Sequence, residues 1–336
     1  MYLRNCWYAA AWDHEIGSGL LARTILGEPL VVFRLADGAA AALEDRCCHR
    51  HLPLSKGRLV GDIVQCGYHG LEFDRSGACV RVPGQARIPP GARVRSYPIV
   101  ERWRWLWVWM GDPVRADEAL IPDYHWNDDP GWTSYGDLFH VRGDYRLLVD
   151  NLMDLSHIQF VHATTLGAST DVNAEIEVTR SEDNVLVSRW VLDTPPAPMY
   201  AHALQMNAKV DRWQNIKYTP AASVVIDAGS AIAGTGAPQG DRSRGVETYS
   251  NHFLTPETEK STHYFWHHAR NFRRGDEGFT AELRRMFASA LREDVVAIEA
   301  QQKSIDRVGD RPTIDINVDA GALQTRRLLE ERIAAE

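Results

Sequence analysis

Two short loops constrain this chain more than any other feature. Cys47-x-His49 is followed, after sixteen intervening residues, by Cys66-x-x-His69, so each loop offers one thiolate and one imidazole. Zinc could gather all four around one tetrahedral ion, as in a structural site. A [2Fe-2S] cluster would use them asymmetrically, with Cys47 and Cys66 on one iron and His49 and His69 on the other. Neutral imidazoles in place of thiolates would raise its potential. Zinc fingers usually group their ligands as two Cys or two His, whereas here each loop supplies one of each, which favours the two-iron cluster. The five cysteines (Cys6, Cys47, Cys48, Cys66, Cys79) are an odd number, and two of them sit close to histidines. In a reducing compartment that reads as metal ligation before disulfide pairing.

A second constellation, Asp154-x-x-His157-x-x-x-x-His162, lies in DNLMDLSHIQFVH. The spacing over Tyr145 to Val161 predicts a helix. Asp154 and His157 would fall one turn apart on it, but His157 and His162 would differ by about 140° of rotation. The helix is therefore expected to distort or end between the two histidines. The plain alternative is an amphipathic helix with two incidental histidines. A two-His, one-carboxylate iron site leaves positions open for oxygen and substrate, and it needs a carboxylate from elsewhere. The late helical stretch Thr280 to Gln302 offers both Glu293 and Asp294, and the pattern does not separate them.

The 336 residues suggest about two domains. From Arg23 to Pro113, short apolar runs broken by Gly, Pro and Asp predict antiparallel strands. Trp103, Trp105, Trp107 and Trp109 are expected on one face of such a strand, as a buried sheet face. The boundary is placed near 115, giving domains 1–115 and 116–336. The second is expected to mix α and β, with strands at Val185 to Val191, Ser223 to Ala228 and His263 to His268, the long helix, and a final helix from Gly321 to Ala335. Gly234-Thr-Gly236 with Gly240 imitates a dinucleotide fingerprint, but its third glycine comes one residue late and no helix follows, so it is read as a loop. A net charge of −8 without a basic run argues against nucleic-acid binding. No apolar stretch is long enough to cross a membrane, and Met1 to Gly17 lacks a secretory apolar core. A cytoplasmic location is expected.

The two constellations in this order, together with NCWYAAAW, CGYHGLEF, VWMGDP, DYRLLVDNLMDLSH, FLTPETE and YFWHHARNFR, resemble the oxygenase components of Rieske non-haem iron oxygenases. The resemblance is to the vanillate O-demethylase type and, more distantly, to dicamba O-demethylase. It implies an α+β chain: an all-β Rieske [2Fe-2S] domain, then a helix-grip catalytic domain with an antiparallel sheet and a long C-terminal helix. It also implies a homotrimer. By matching position, Cys47, His49, Cys66 and His69 would hold the cluster, and His157, His162 and Asp294 would hold Fe(II). Asp154 would accept hydrogen bonds from His157 and from His69 of the partner subunit. Asn151 would lie close to the iron, and His252 would contact the substrate carboxylate. The usual loop is Cys-Pro-His. Here Cys48 replaces the proline, adding a thiol that is expected not to be a ligand.

The activity implied is hydroxylation of the methyl carbon of a methoxylated, vanillate-like aromatic acid, with formaldehyde released. Electrons would come from NAD(P)H through a separate reductase, since the chain has no credible nicotinamide fingerprint and no plant-type ferredoxin spacing. The same iron chemistry would also serve aryl-methyl hydroxylation or N-demethylation. A rival of another class is an electron carrier or redox sensor in which only the cluster works. Arg284, Arg285 and His252 are candidates for meeting an anionic substrate, against the plainer reading of the arginines as a solvated helix face.

Overall fold

The computed structural model describes residues 1–162, 174–196, 208–309 and 311–336. The chain divides into two compact units, Tyr2–Pro122 with Thr255–Glu259, and Asp123–Leu254 with Lys260–Glu336.

The first unit is built from short strands. They are β1 (Cys6–Trp12), β2 (Leu21–Ile25), β3 (Glu28–Arg34), β4 (Ala40–Glu44), β5 (Arg58–Val60) and β6 (Ile63–Gln65), then β7 (Glu72–Phe73), β8 (Cys79–Arg81), β9 (Ser96–Tyr97), β10 (Ile99–Arg102) and β11 (Trp105–Met110). They form three sheets, ordered β1-β11-β10, β2-β3-β4-β9 and β5-β6-β7-β8. All six residues of β11 are buried, so both faces of the tryptophan strand are covered, not one. Trp103 does not belong to that strand. With Arg104 it forms the two-residue turn between β10 and β11, where both residues have positive φ, 56° and 67°. Such a turn matches the twist of the flanking strands and normally takes Asn-Gly. Here the Arg104 backbone carbonyl accepts from Asp13 N at 2.9 Å and its side chain donates to the Asp13 carboxylate, which ties the turn down.

The second unit holds β12 (Thr133–Val141), β13 (Ile176–Arg180), β14 (Val185–Thr194), β15 (Val210–Thr219), β16 (Ser223–Ile232), β17 (Gly245–Thr258) and β18 (Ser261–Arg270). These make one seven-stranded sheet in the order β12-β18-β17-β16-β15-β14-β13. Among the described residues its helices are α1 (Tyr145–Leu152), α2 (Ile158–Val161), α3 (Glu277–Val308) and α4 (Ala320–Ala334). Asp276 caps α3 by accepting from Phe279 N at 2.9 Å. The buried stripe of α3 runs through Leu283, Ala290, Leu291, Asp294, Ile298 and Gln302, near the 3.6-residue period. A carboxylate therefore occupies a place that the period reserves for an apolar side chain. Gly234, Gly236 and Gly240 all have positive φ in the connection between β16 and β17, where no nucleotide-binding helix follows. Among the described residues, no helix is long and apolar enough to cross a membrane.

The helix expected over Tyr145 to Val161 is broken, but earlier than the spacing suggested. It stops at Leu152 and resumes as the single turn Ile158–Val161, with His157 as its N-cap and His162 as its C-cap. The interruption lies before His157 instead of between the histidines. The two histidines sit at opposite ends of one turn, and their ring centroids lie 5.3 Å apart.

Candidate metal centres

The two cluster loops share one hydrogen-bond frame. Cys47 N donates to Leu52 O at 2.9 Å and His51 N to Cys47 O at 3.0 Å. In the second loop, Cys66 N donates to Leu71 O at 2.8 Å and Gly70 N to Cys66 O at 3.0 Å. The fourth residue after each cysteine takes a left-handed conformation, φ 59° at His51 and 72° at Gly70. This frame carries both thiols into the core formed by Val31, Phe33, Leu43, Leu54, Val64 and Phe73. It leaves His49 and His69 exposed, with ring centroids 4.5 Å apart. Gly67 lets the second loop pass close to the turn at Leu54–Lys56, because a Cβ there would lie 2.7 Å from the Lys56 carbonyl oxygen.

Burial pushes the Cys47 thiol up to about 11, and the neighbouring Cys66 thiol adds to the shift. Two buried, unbridged sulfurs side by side, each paired in sequence with an outward imidazole, fit a cluster whose irons are divided by ligand type. Cys48 is exposed, in contrast to both of those thiols.

In the second unit, His157, His162 and Asp294 each offer one ligand atom, and these atoms all lie within 4.8 Å of one another. Both Nε2 atoms face the same carboxylate oxygen: Asp294 Oδ1 is 3.5 Å from His157 and 3.2 Å from His162. Asn151, from the last turn of α1, donates to that oxygen through Nδ2 at 3.0 Å. Burial works against ionised Asp294, but the two imidazoles outweigh it and hold the carboxyl at about 2. Burial likewise opposes a charged His157, yet Asp154 and Asp294 raise it to about 9. Three convergent donors, two imidazoles and one carboxylate, fit a facial iron site.

The far side of each imidazole also meets a carboxylate. His162 Nδ1 donates to Glu293 Oε2 at 2.8 Å, and His157 Nδ1 stands 3.7 Å from Asp154 Oδ2. The Asp154 carboxylate is itself fixed by Ser156 N at 2.6 Å. Such partners set the tautomer and strengthen a ligating imidazole. By sequence Glu293 rivals Asp294 as a ligand; in the fold it makes this contact to the outer nitrogen of His162. The helical period could have shown the division, since Asp294 lies on the buried stripe of α3 and Glu293 beside it.

His252, on β17, is 1% exposed and accepts or donates at Nδ1 with the Tyr264 hydroxyl at 2.8 Å, while its Nε2 has no partner. Burial lowers its pKa to about 3, with Asp294 pulling the other way, so the ring is neutral. Arg284 is exposed and ion-paired with Asp137, and Arg285 is exposed too. Neither arginine points into the buried part of the unit.

Two family models match the chain. Residues 6–98 match the Rieske [2Fe-2S] domain, and residues 141–335 match the vanillate O-demethylase oxygenase C-terminal domain. The chain is 43% identical to the toluene-4-sulfonate monooxygenase system iron-sulfur subunit of Comamonas testosteroni, over 100% of this chain and 98% of that one. It is 37% identical to the vanillate O-demethylase oxygenase subunit of a Pseudomonas strain, over 100% and 96%. The crystal structure of dicamba monooxygenase bound to 3,6-dichlorosalicylic acid superposes with a TM-score of 0.91 at 37% identity, over 99% of this chain and 98% of that one. With a Rieske domain, a mononuclear iron domain and full-length relatives of this kind, the chain belongs to the vanillate O-demethylase family of Rieske non-haem iron oxygenases, as an oxygenase component.

Proposed function

We propose that this oxygenase component hydroxylates the methyl carbon of a methoxylated aromatic acid, so that the product collapses to a phenol and formaldehyde. The convergence of His157, His162 and Asp294 on one point carries this reading. When bound, the iron activates dioxygen with electrons delivered by the cluster, and those electrons start from NAD(P)H on a separate reductase. The residues of the chain prepare the place. His157 and His162 present Nε2 as neutral ligands, held by Asp154 and Glu293, and Asp294 supplies the negative charge. Asn151 fixes the Asp294 oxygen by its amide, and His252 meets the substrate through its free Nε2.

Cys47, Cys66, His49 and His69 hold the cluster in this reading, and Cys48 stays outside it. The exposed His69 suits a homotrimer in which Asp154 accepts from His157 and also from His69 of the partner subunit, so that one carboxylate compensates charge at both metals. Sedimentation analysis tests the trimer. The 43% identity to a toluene-4-sulfonate monooxygenase subunit favours a second reading, hydroxylation of an aryl methyl group. Turnover of methoxybenzoates and of 4-toluenesulfonate with reductase, NADH and oxygen separates the two: formaldehyde supports the first and a hydroxymethyl product the second. A chain that oxidises neither substrate type would leave both readings without support.

Two expectations concern iron uptake. Glu293→Gln keeps the hydrogen-bonding shape but weakens the acceptor for His162, so iron affinity is expected to fall about 10- to 100-fold, read by competition with a chelator. The pH dependence follows from the raised imidazoles. Metal-free His157, with its value near 9, keeps its proton at neutral pH, and His162 is shifted in the same direction. Iron must displace those protons. Affinity should therefore weaken as pH falls from 9 towards 6.5, by about tenfold per pH unit for each proton released. The sign reverses for the metal-free fold: the ion pair stabilises it fully below about 6.5, and this is lost as pH rises through 9. An iron affinity flat across this range would contradict the assignment.

A further inference from the structure

One face of the seven-stranded sheet carries more unsatisfied polar groups than a folded interior tolerates. Both ring nitrogens of His268, the Tyr135 hydroxyl and the Trp266 indole N–H are buried and have no hydrogen-bond partner. Their residues are 1%, 7% and 0% exposed. Buried polar groups in native proteins are satisfied in the large majority of cases, so a cluster of unsatisfied ones points to a missing partner. These three are neighbours. Tyr135 on β12 pairs directly with His268 on β18, and Trp266 lies two residues earlier on the same strand, facing the same way. The Tyr135 ring is 5.2 Å from His268 and 6.3 Å from Trp266.

This face also looks towards the iron ligands. Tyr264 is next on the same alternation and meets His252, and His268 packs on Phe287 of α3 at 3.9 Å. Phe287 precedes Asp294 by seven residues, which on a helix is about 10 Å of axial distance. An aromatic acid whose oxidised methyl carbon stands across the ring from its anionic group spans roughly 6 Å, and a hydrogen bond adds about 3 Å. The span fits.

The donor chemistry narrows the occupant. An indole N–H only donates, a tyrosine hydroxyl can donate, and a neutral imidazole donates once. Burial and the nearby charge of Arg270 keep His268 neutral. Arg270 ends the same strand on the same face and is 0% exposed; its Nη2 is engaged by Arg273 O and Thr280 Oγ1, while Nε and Nη1 have no partner. Its positive field favours a group that accepts hydrogen bonds and gives none.

We propose that His268, Tyr135 and Trp266 form a distal anion-binding pole that takes the carboxylate or sulfonate of the substrate, so that the enzyme selects aromatic acids with the oxidised methyl or methoxy group para to the anion. This deepens the proposed function and rests on the iron lying at His157, His162 and Asp294; it moves the substrate anion away from His252, which then meets the part of the substrate nearer the iron. His268→Phe keeps the ring against Phe287 and removes both nitrogens, and Tyr135→Phe removes only the hydroxyl. The iron- and cluster-loaded protein is titrated calorimetrically with 4-methoxybenzoate, 2-methoxybenzoate and methoxybenzene. Wild type should bind the para acid most tightly. Either variant should weaken that binding about tenfold or more, the range for a hydrogen bond to a charged group, and should leave methoxybenzene and the ortho acid unchanged. Unchanged para binding in both variants, or equal losses for all three ligands, overturns the proposal. If para selectivity holds but no methoxybenzoate yields formaldehyde, only the reaction assigned above falls.

Discussion

Asp294→Ala is expected to lower product formation by about 10³-fold or more, the scale of several kcal/mol of transition-state stabilisation lost with a catalytic metal, while the cluster keeps its EPR spectrum. One Asp294 oxygen receives three groups at once, the two imidazole Nε2 atoms and the Asn151 amide. Removing it leaves a buried and a half-buried imidazole facing each other with no negative charge between them, so the site loses a ligand and the neutralisation of the metal together. The raised value of His157 should also fall, because Asp294 is one of the two carboxylates that support it. Iron content by plasma emission and formaldehyde or hydroxymethyl product per unit of NADH give the readout. Turnover within tenfold of wild type would remove Asp294 from the ligand set. Retained cluster reduction without product would separate the oxygenase from the electron-carrier reading.

Cys66→Ser should have the opposite profile: the mononuclear site still binds iron, but the cluster is absent and turnover with it. Cys66 is 2% exposed inside the core of the first unit, beside Val64, Leu71 and Phe73. A serine there puts a hydroxyl among apolar side chains and removes one of the two anchors that carry the cluster. Burying a hydroxyl without a partner costs about 1–3 kcal/mol, so the first unit should also melt earlier by circular dichroism. Cys48→Ser is the matched control, being adjacent in sequence to Cys47 but exposed, and it should keep the visible and EPR spectra unchanged. A spectrum that disappears in Cys48→Ser and survives in Cys66→Ser would exchange the roles assigned to the two thiols.

How much of this could be read from sequence depends on how local each determinant is. The cluster loops were legible because all four donors fall within 23 residues and each loop closes on itself through its own backbone. The two histidines of the iron site were legible by spacing, but the position of the helix break was not. That break reflects how the chain is held at both ends, by α1 against its neighbours and by His162 against α3, which periodicity cannot report. The Glu293 contact depends on the same long-range meeting of α2 and α3. Charge is the poorest guide to the proposed substrate pole. Arg284 and Arg285 were conspicuous in the sequence yet face solvent, whereas His268, Tyr135 and Trp266 read as ordinary strand residues. Whether a buried polar atom has a partner is a tertiary property, and only the assembled sheet displays it.

The single helical turn between His157 and His162 has a thermodynamic consequence of its own. Four residues close too few backbone bonds to offset the cost of starting a helix, so this turn borrows its order from the side chains that anchor its ends. In the proposed iron site, metal binding would add to the same anchoring. With no ion bound, the order of the turn rests on the contacts of His157 and His162 with Asp294 and Glu293, so it should fray first where those ion pairs are lost.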